Sequence, residues 1–170
     1  MALELNGTTG VQGNSGAFVA GTAVASTSGT SIDFTSIPSW VKRVTVMFSG
    51  VSLSGSSDFL IQIGSGSVTT SGYVATTNVL DQSGSTGGTS STSGFPISIG
   101  SSSNTASGTM QICLVSSNVY ISSFVIKSST ATAVLGGGNV TLSGTLDRVR
   151  ITTVNGTDTF DAGTINILYE

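Results

Sequence analysis

Residues 41–51 read VKRVTVMFSGV. Val44, Val46 and Phe48 alternate with Arg43, Thr45 and Met47. An apolar period of two with a polar opposite face is the signature of a half-buried antiparallel strand. The same period recurs along the chain. Phe59, Ile61 and Ile63 share one face of DFLIQIG. GTMQICLVS and NVYISSFVIKS follow the same rule. In DRVRITTV, Val149 and Ile151 face one way while Arg148 and Arg150 face the other. In GTINILYE, Ile165, Ile167 and Tyr169 line up. No window carries a sustained 3.6-residue apolar period. Gly, Asn and Ser clusters such as SGVSLSGSSD, VSSNVY and LGGGNV separate the runs where the backbone must reverse. Asn155-Gly156 reads as a hairpin turn. These signals predict an all-β chain: a single antiparallel β-sandwich, jelly-roll or immunoglobulin-like, over residues 17–170. The stretch DQSGSTGGTSSTSG, 81–94, reads as a long Ser/Thr/Gly surface loop dividing the strands into two halves.

Composition narrows the functional classes. The 170 residues include only five Lys and Arg, and the net charge is -3. So few cations cannot neutralise a phosphate backbone over any length, which weighs against nucleic acid. The same scarcity weighs against anionic membrane surfaces. Charged residues make up 8%, against roughly 25% for an ordinary soluble domain. Ser and Thr together are about a third of the chain, so hydroxyls and backbone must solvate the surface. Such a surface can be covered by a partner at little cost in side-chain entropy. MALELNGTTG lacks a basic segment followed by an apolar one, so no signal peptide is expected. Cys113 lies in the apolar run MQICLVS and reads as a buried structural thiol.

No residue pattern announces a reaction. Histidine is absent, which removes the commonest general base, the Ser-His-Asp arrangement and the usual zinc sites. Asp158 and Asp161 in GTDTFDAG could contribute to a calcium site, which needs several oxygens. Asx-turn hydrogen bonding is the stronger reading of aspartates beside Gly and Thr. Neither a catalytic nor a cofactor-binding residue is assigned. Arg148 and Arg150 should meet carboxylates across strands or across a subunit boundary, with sugar binding as the alternative. Trp40, beside Pro38, is expected to pack over one end of the core rather than to stack on a ligand.

The N-terminus carries glycine at 7, 10, 13 and 16 in NGTTGVQGNSG. Collagen needs many more triplets and abundant proline, so this is not a triple helix. It reads as an extended Gly-rich arm, residues 1–16, able to pass close to another backbone. Leu3, Leu5, Asn6, Gly7, Gly10, Val11, Gly13 and Gly16 are its candidate docking residues.

LNGTTGVQG resembles the leader of many small bacteriophage virion proteins. Residues 30–64, TSIDFTSIPSWVKRVTVMFSGVSLSGSSDFLIQIG, and 144–170, GTLDRVRITTVNGTDTFDAGTINILYE, resemble a β-domain of phage tail-fibre and other particle-surface proteins. The resemblance implies a non-enzymatic module, often a homotrimer, assembled in the host cytoplasm and displayed on the virion. Its partners would be phage capsid or tail proteins, or a host surface glycan. A head decoration (cement) protein fits the 16.9 kDa size and the arm. A tail-fibre or receptor-binding protein usually carries a shaft, which this chain lacks. A free carbohydrate-binding module would need exposed aromatics, and only 6% of the residues are aromatic.

Overall fold

The computed structural model describes residues 4–6, 10–12, 18–84 and 86–170. In chain order its strands are β1 (Glu4–Asn6), β2 (Gly10–Gln12), β3 (Val19–Ala20), β4 (Val24–Ala25), β5 (Ile32–Thr35), β6 (Arg43–Leu53), β7 (Phe59–Ser65) and β8 (Ser67–Val68). There follow β9 (Val74–Asp81), β10 (Thr86–Ser91), β11 (Phe95–Ile97), β12 (Ala106–Ser116), β13 (Val119–Lys127), β14 (Thr132–Thr141), β15 (Arg148–Thr153) and β16 (Phe160–Tyr169). A large sheet runs β10-β9-β14-β13-β12-β6-β16-β3, with β4 also on β16. A smaller sheet runs β11-β7-β15-β5, with β8 on β7. Every pairing is antiparallel. The two sheets form a β-sandwich, as the alternating pattern predicts.

The alternation maps directly onto the core. Val44, Val46 and Phe48 of β6 are buried, as are Phe59, Ile61 and Ile63 of β7 and Val149 and Ile151 of β15. They join one cluster with Met110, Ile112, Phe124, Ile126, Ile165 and Ile167. Aromatic rings tie the sheets together. Phe59 stacks on Phe160 at 6.0 Å and meets Phe48 at 6.1 Å, so one ring of the small sheet touches two of the large one. Pro96 sits in β11, an edge strand, where a missing N–H costs no ladder bond.

Strands β6 and β16 shift register between Phe160 and Thr164. Gly163 has φ +94° there, and a Cβ would lie 2.5 Å from the Gly50 carbonyl oxygen. Only glycine fits both the dihedral and the space. Beyond this bulge, Val51, Ser52 and Leu53 are all buried. A bulge bends its strand, which carries this end of β6 over the end of the core.

Three expectations need correction. Residues 81–94 are not one long loop, because β10 lies within them and pairs with β9 from Thr86↔Leu80 to Ser91↔Ala75. An edge strand with both faces in solvent needs no apolar alternation, so nothing in the pattern marked it. Gly88 is required by proximity, since a Cβ would stand 2.7 Å from the Thr77 carbonyl oxygen and the Asn78 side chain. Asn155-Gly156 is a turn, with Gly156 at φ +69°, but not a hairpin. It carries the chain from β15 in the small sheet to β16 in the large one. Cys113 is half-buried rather than buried. Met110 and Ile112 take the inward positions of β12, which leaves Cys113 with Gln111 on the outer face.

Candidate functional site

At one end of the sandwich, the turn before β7 meets the turn between β15 and β16. Gly55, Ser56, Ser57, Asp58, Val154, Asn155 and Asp158 line an open cleft of about 540 Å³. Its geometry is built by side-chain capping. The Asn155 Oδ1 accepts from the backbone N–H of Thr157 at 3.0 Å and of Asp158 at 3.1 Å. The Asn155 Nδ2 donates to Asp158 Oδ1 at 2.8 Å, and the Ser57 N–H donates to Asp158 Oδ2 at 2.9 Å. These two bonds hold the Asp158 carboxyl below its ordinary pKa of 3.8, the Asn155 bond contributing most. On the other wall, Asp58 accepts from Ser98 Oγ at 2.9 Å and from the Ile99 N–H at 3.2 Å. Both carboxylates therefore hold loops in place, and the cleft presents hydroxyl and amide groups around the exposed Val154. That chemistry can recognise a polar ligand.

The structure separates Asp158 from Asp161, the pair weighed for calcium. Asp161 accepts a short hydrogen bond from the Ser52 hydroxyl, while Asp158 serves the Asn155 turn. Among the described residues, no three Cys, Asp or Glu side chains gather as metal ligands. The sequence signal for the real partner of Asp158 was the asparagine three residues before it.

Arg148 and Arg150 share the outer face of the small sheet. Arg150 lies opposite Asp33 in the β15–β5 ladder and binds it through Nε at 2.7 Å and Nη2 at 3.1 Å. Arg148 binds its chain neighbour Asp147 through Nε at 2.7 Å and Nη2 at 3.3 Å. The Arg148 bond holds the Asp147 carboxyl below 3.8. Arg43 pairs with Glu170, so all three arginines meet carboxylates of their own chain. Trp40 is half-buried against the core, its ring 6.0 Å from Tyr169 and tilted by 53°. This is the packing role expected of it.

Leu3, Gly7, Gly13 and Gly16 lie outside the described residues. Leu5, Asn6, Gly10 and Val11 fall in β1 and β2, paired as Leu5↔Val11 and Asn6↔Gly10. These two strands form a sheet of their own, joined to neither sheet of the sandwich. No family model, curated protein or solved structure matches this chain.

Proposed function

We propose that this chain is a non-enzymatic structural protein of a bacteriophage particle, displayed on its surface as a head decoration (cement) protein. The observation that carries the reading is the separate β1–β2 ladder on a sandwich whose arginines are already paired within the chain. A two-stranded ladder alone is marginal in water, so it gains most by docking on something larger. The Ser/Thr-rich, weakly charged surface supports the same reading, because it can be covered at little entropic cost. The resemblance of residues 5–13, 30–64 and 144–170 to phage particle proteins supplies the particle. In this proposal the arm contacts capsid subunits and the sandwich faces solvent.

Two experiments test it. Immunogold labelling of virions should place this chain evenly over the head. Gold on fibres or the tail tip would make host attachment the function, with the Asn155 cleft as the first surface to probe for a glycan. No gold on any particle would favour a free carbohydrate-binding module. Deleting residues 1–16 should leave a folded sandwich that no longer joins the particle. Wild-type occupancy by the truncated chain would overturn the arm's role.

A further inference from the structure

We propose that the outer face of the large sheet is an interface between two copies of this chain, stacked face to face about a two-fold axis. The inference does not depend on the virion reading. It begins from where the exposed apolar side chains lie. Val74 is 69% exposed, Val125 66%, Ile121 47% and Leu80 42%. All four occupy outward positions of neighbouring strands. On β9, Ala75 and Thr77 point into the core and Val74 and Leu80 point out. On β13, Tyr120, Ser122, Phe124 and Ile126 point in and Ile121 and Val125 point out. Strand β14 lies between them, and its register places Val74 in line with Ile121 through Asn139, and Val125 beside Leu135. Single exposed apolar residues need no explanation, but a contiguous group on one face does.

Charge identifies the occupant. The outward positions of β9, β14, β13 and β12 carry one charge, Lys127, at the margin. A partner for this face must itself be flat, neutral and apolar at its centre. The outer face of the small sheet does not qualify, because it carries Asp33, Arg148 and Arg150. The surface of this chain that meets the requirement is the same face of another copy. Contacts of this kind are self-complementary and close at two subunits.

The size also fits. From β10 to β16 the sheet is seven strands wide. At ~4.8 Å between strands and ~3.4 Å per residue over about eight residues, its flat area is on the order of 900 Å². A stable interface buries ~800 Å² on each partner. Small outward residues along the middle, Thr76, Gly137 and Ser123, let two such sheets approach at the ~10 Å typical of stacked sheets.

The test is the mass of the purified full-length chain by light scattering, with Ile121→Lys/Val125→Lys and Thr89→Lys as variants. The wild type should have twice the 16.9 kDa of one chain. The double variant should be monomeric, its dissociation constant raised ~100-fold or more by like charges brought together. Its circular dichroism should match the wild type, because both residues point to solvent. Thr89→Lys, on edge strand β10, should remain a dimer. A monomeric wild type, a three-chain mass, or a dimer that survives the double variant would overturn the proposal. So would a dimer broken only by Thr89→Lys, which would assign the contact to pairing along the β10 edge.

Discussion

The two sheets share one core and finish their outer faces in different ways. On the small sheet the outward side chains satisfy one another. Arg150 grips Asp33, Arg148 grips Asp147, and Gln62 donates to the Ser93 carbonyl at 2.8 Å. Gln62 and Leu60 are buried there as well. On the large sheet, Val74, Ile121 and Val125 stand in solvent with no charge among them. A chain with so few charges has placed two of its three arginines on the small sheet. One face is thus a completed surface, while the other gains from being covered. The inner faces are equivalent, so the functional asymmetry of the molecule is decided on the outside.

The largest effect should come from the shared core, which calibrates the rest. Ile61 is fully buried in β7. Ile61→Ala should cost about 2–5 kcal/mol, the transfer term plus the cavity left behind. Denaturant unfolding in dilute solution measures it. Val125→Ala under the same conditions should change stability by no more than ~0.5 kcal/mol, as for an exposed site. If Val125→Ala costs as much as Ile61→Ala in the monomer, the outer face of the large sheet is already covered within the chain. The contrast between the two faces would then fail.

How much of this was legible in the sequence follows the same division. Where one face is buried, the period of two is enforced by burial, so Val44, Phe59 and Val149 could be assigned inward from the pattern alone. Strand β10 left no trace, because an edge strand exposed on both faces needs only backbone partners. Cys113 was misread because a run of apolar letters hides which alternate positions face out. Asn155-Gly156 was read correctly as a turn, but whether a turn stays within a sheet or crosses between sheets depends on distant pairings. The ion pair of Arg150 with Asp33 required the register of β15 on β5, which no local pattern specifies. The cleft at Asp158 was partly legible, since Asx capping was foreseen and its asparagine was not.

The next effect sits on the seam between the sheets. Tyr73 lies where the chain leaves the small sheet to start β9. Its hydroxyl accepts from the Ile63 N–H at 2.8 Å and faces the carbonyls of Ile63 at 3.2 Å and Thr69 at 3.1 Å. Burial pushes its pKa up to about 12 from 10.0, against a smaller opposing effect of the Ile63 hydrogen bond. Tyr73→Phe leaves a buried N–H unpaired and should cost about 1–3 kcal/mol in Tm or denaturant experiments. The folded-state pKa lies above the unfolded one, so the neutral hydroxyl stabilises the fold fully below pH 10. That contribution should fall away as pH rises from 10 towards about 12. Tyr73→Phe should flatten this alkaline loss. An unchanged alkaline profile in the variant would show that the seam is held by something else.

The smallest effect separates the two faces by their response to salt. A double-mutant cycle on Arg150→Ala and Asp33→Ala should give a coupling of about 0.2–1 kcal/mol, the range for exposed pairs with good geometry. Both partners are more than a third exposed, so solvent screens them. Raising ionic strength should shrink the coupling. The Arg148–Asp147 pair should give less, because adjacent residues can meet in the unfolded chain too and the interaction largely cancels on folding. The large sheet should behave in the opposite way. Its dimer is held by apolar contact, so high concentrations of sulfate should strengthen it while weakening the Arg150 coupling. A dimer that dissociates as salt rises would place its energy in ion pairs. The uncharged face could not then be the surface that joins the two copies.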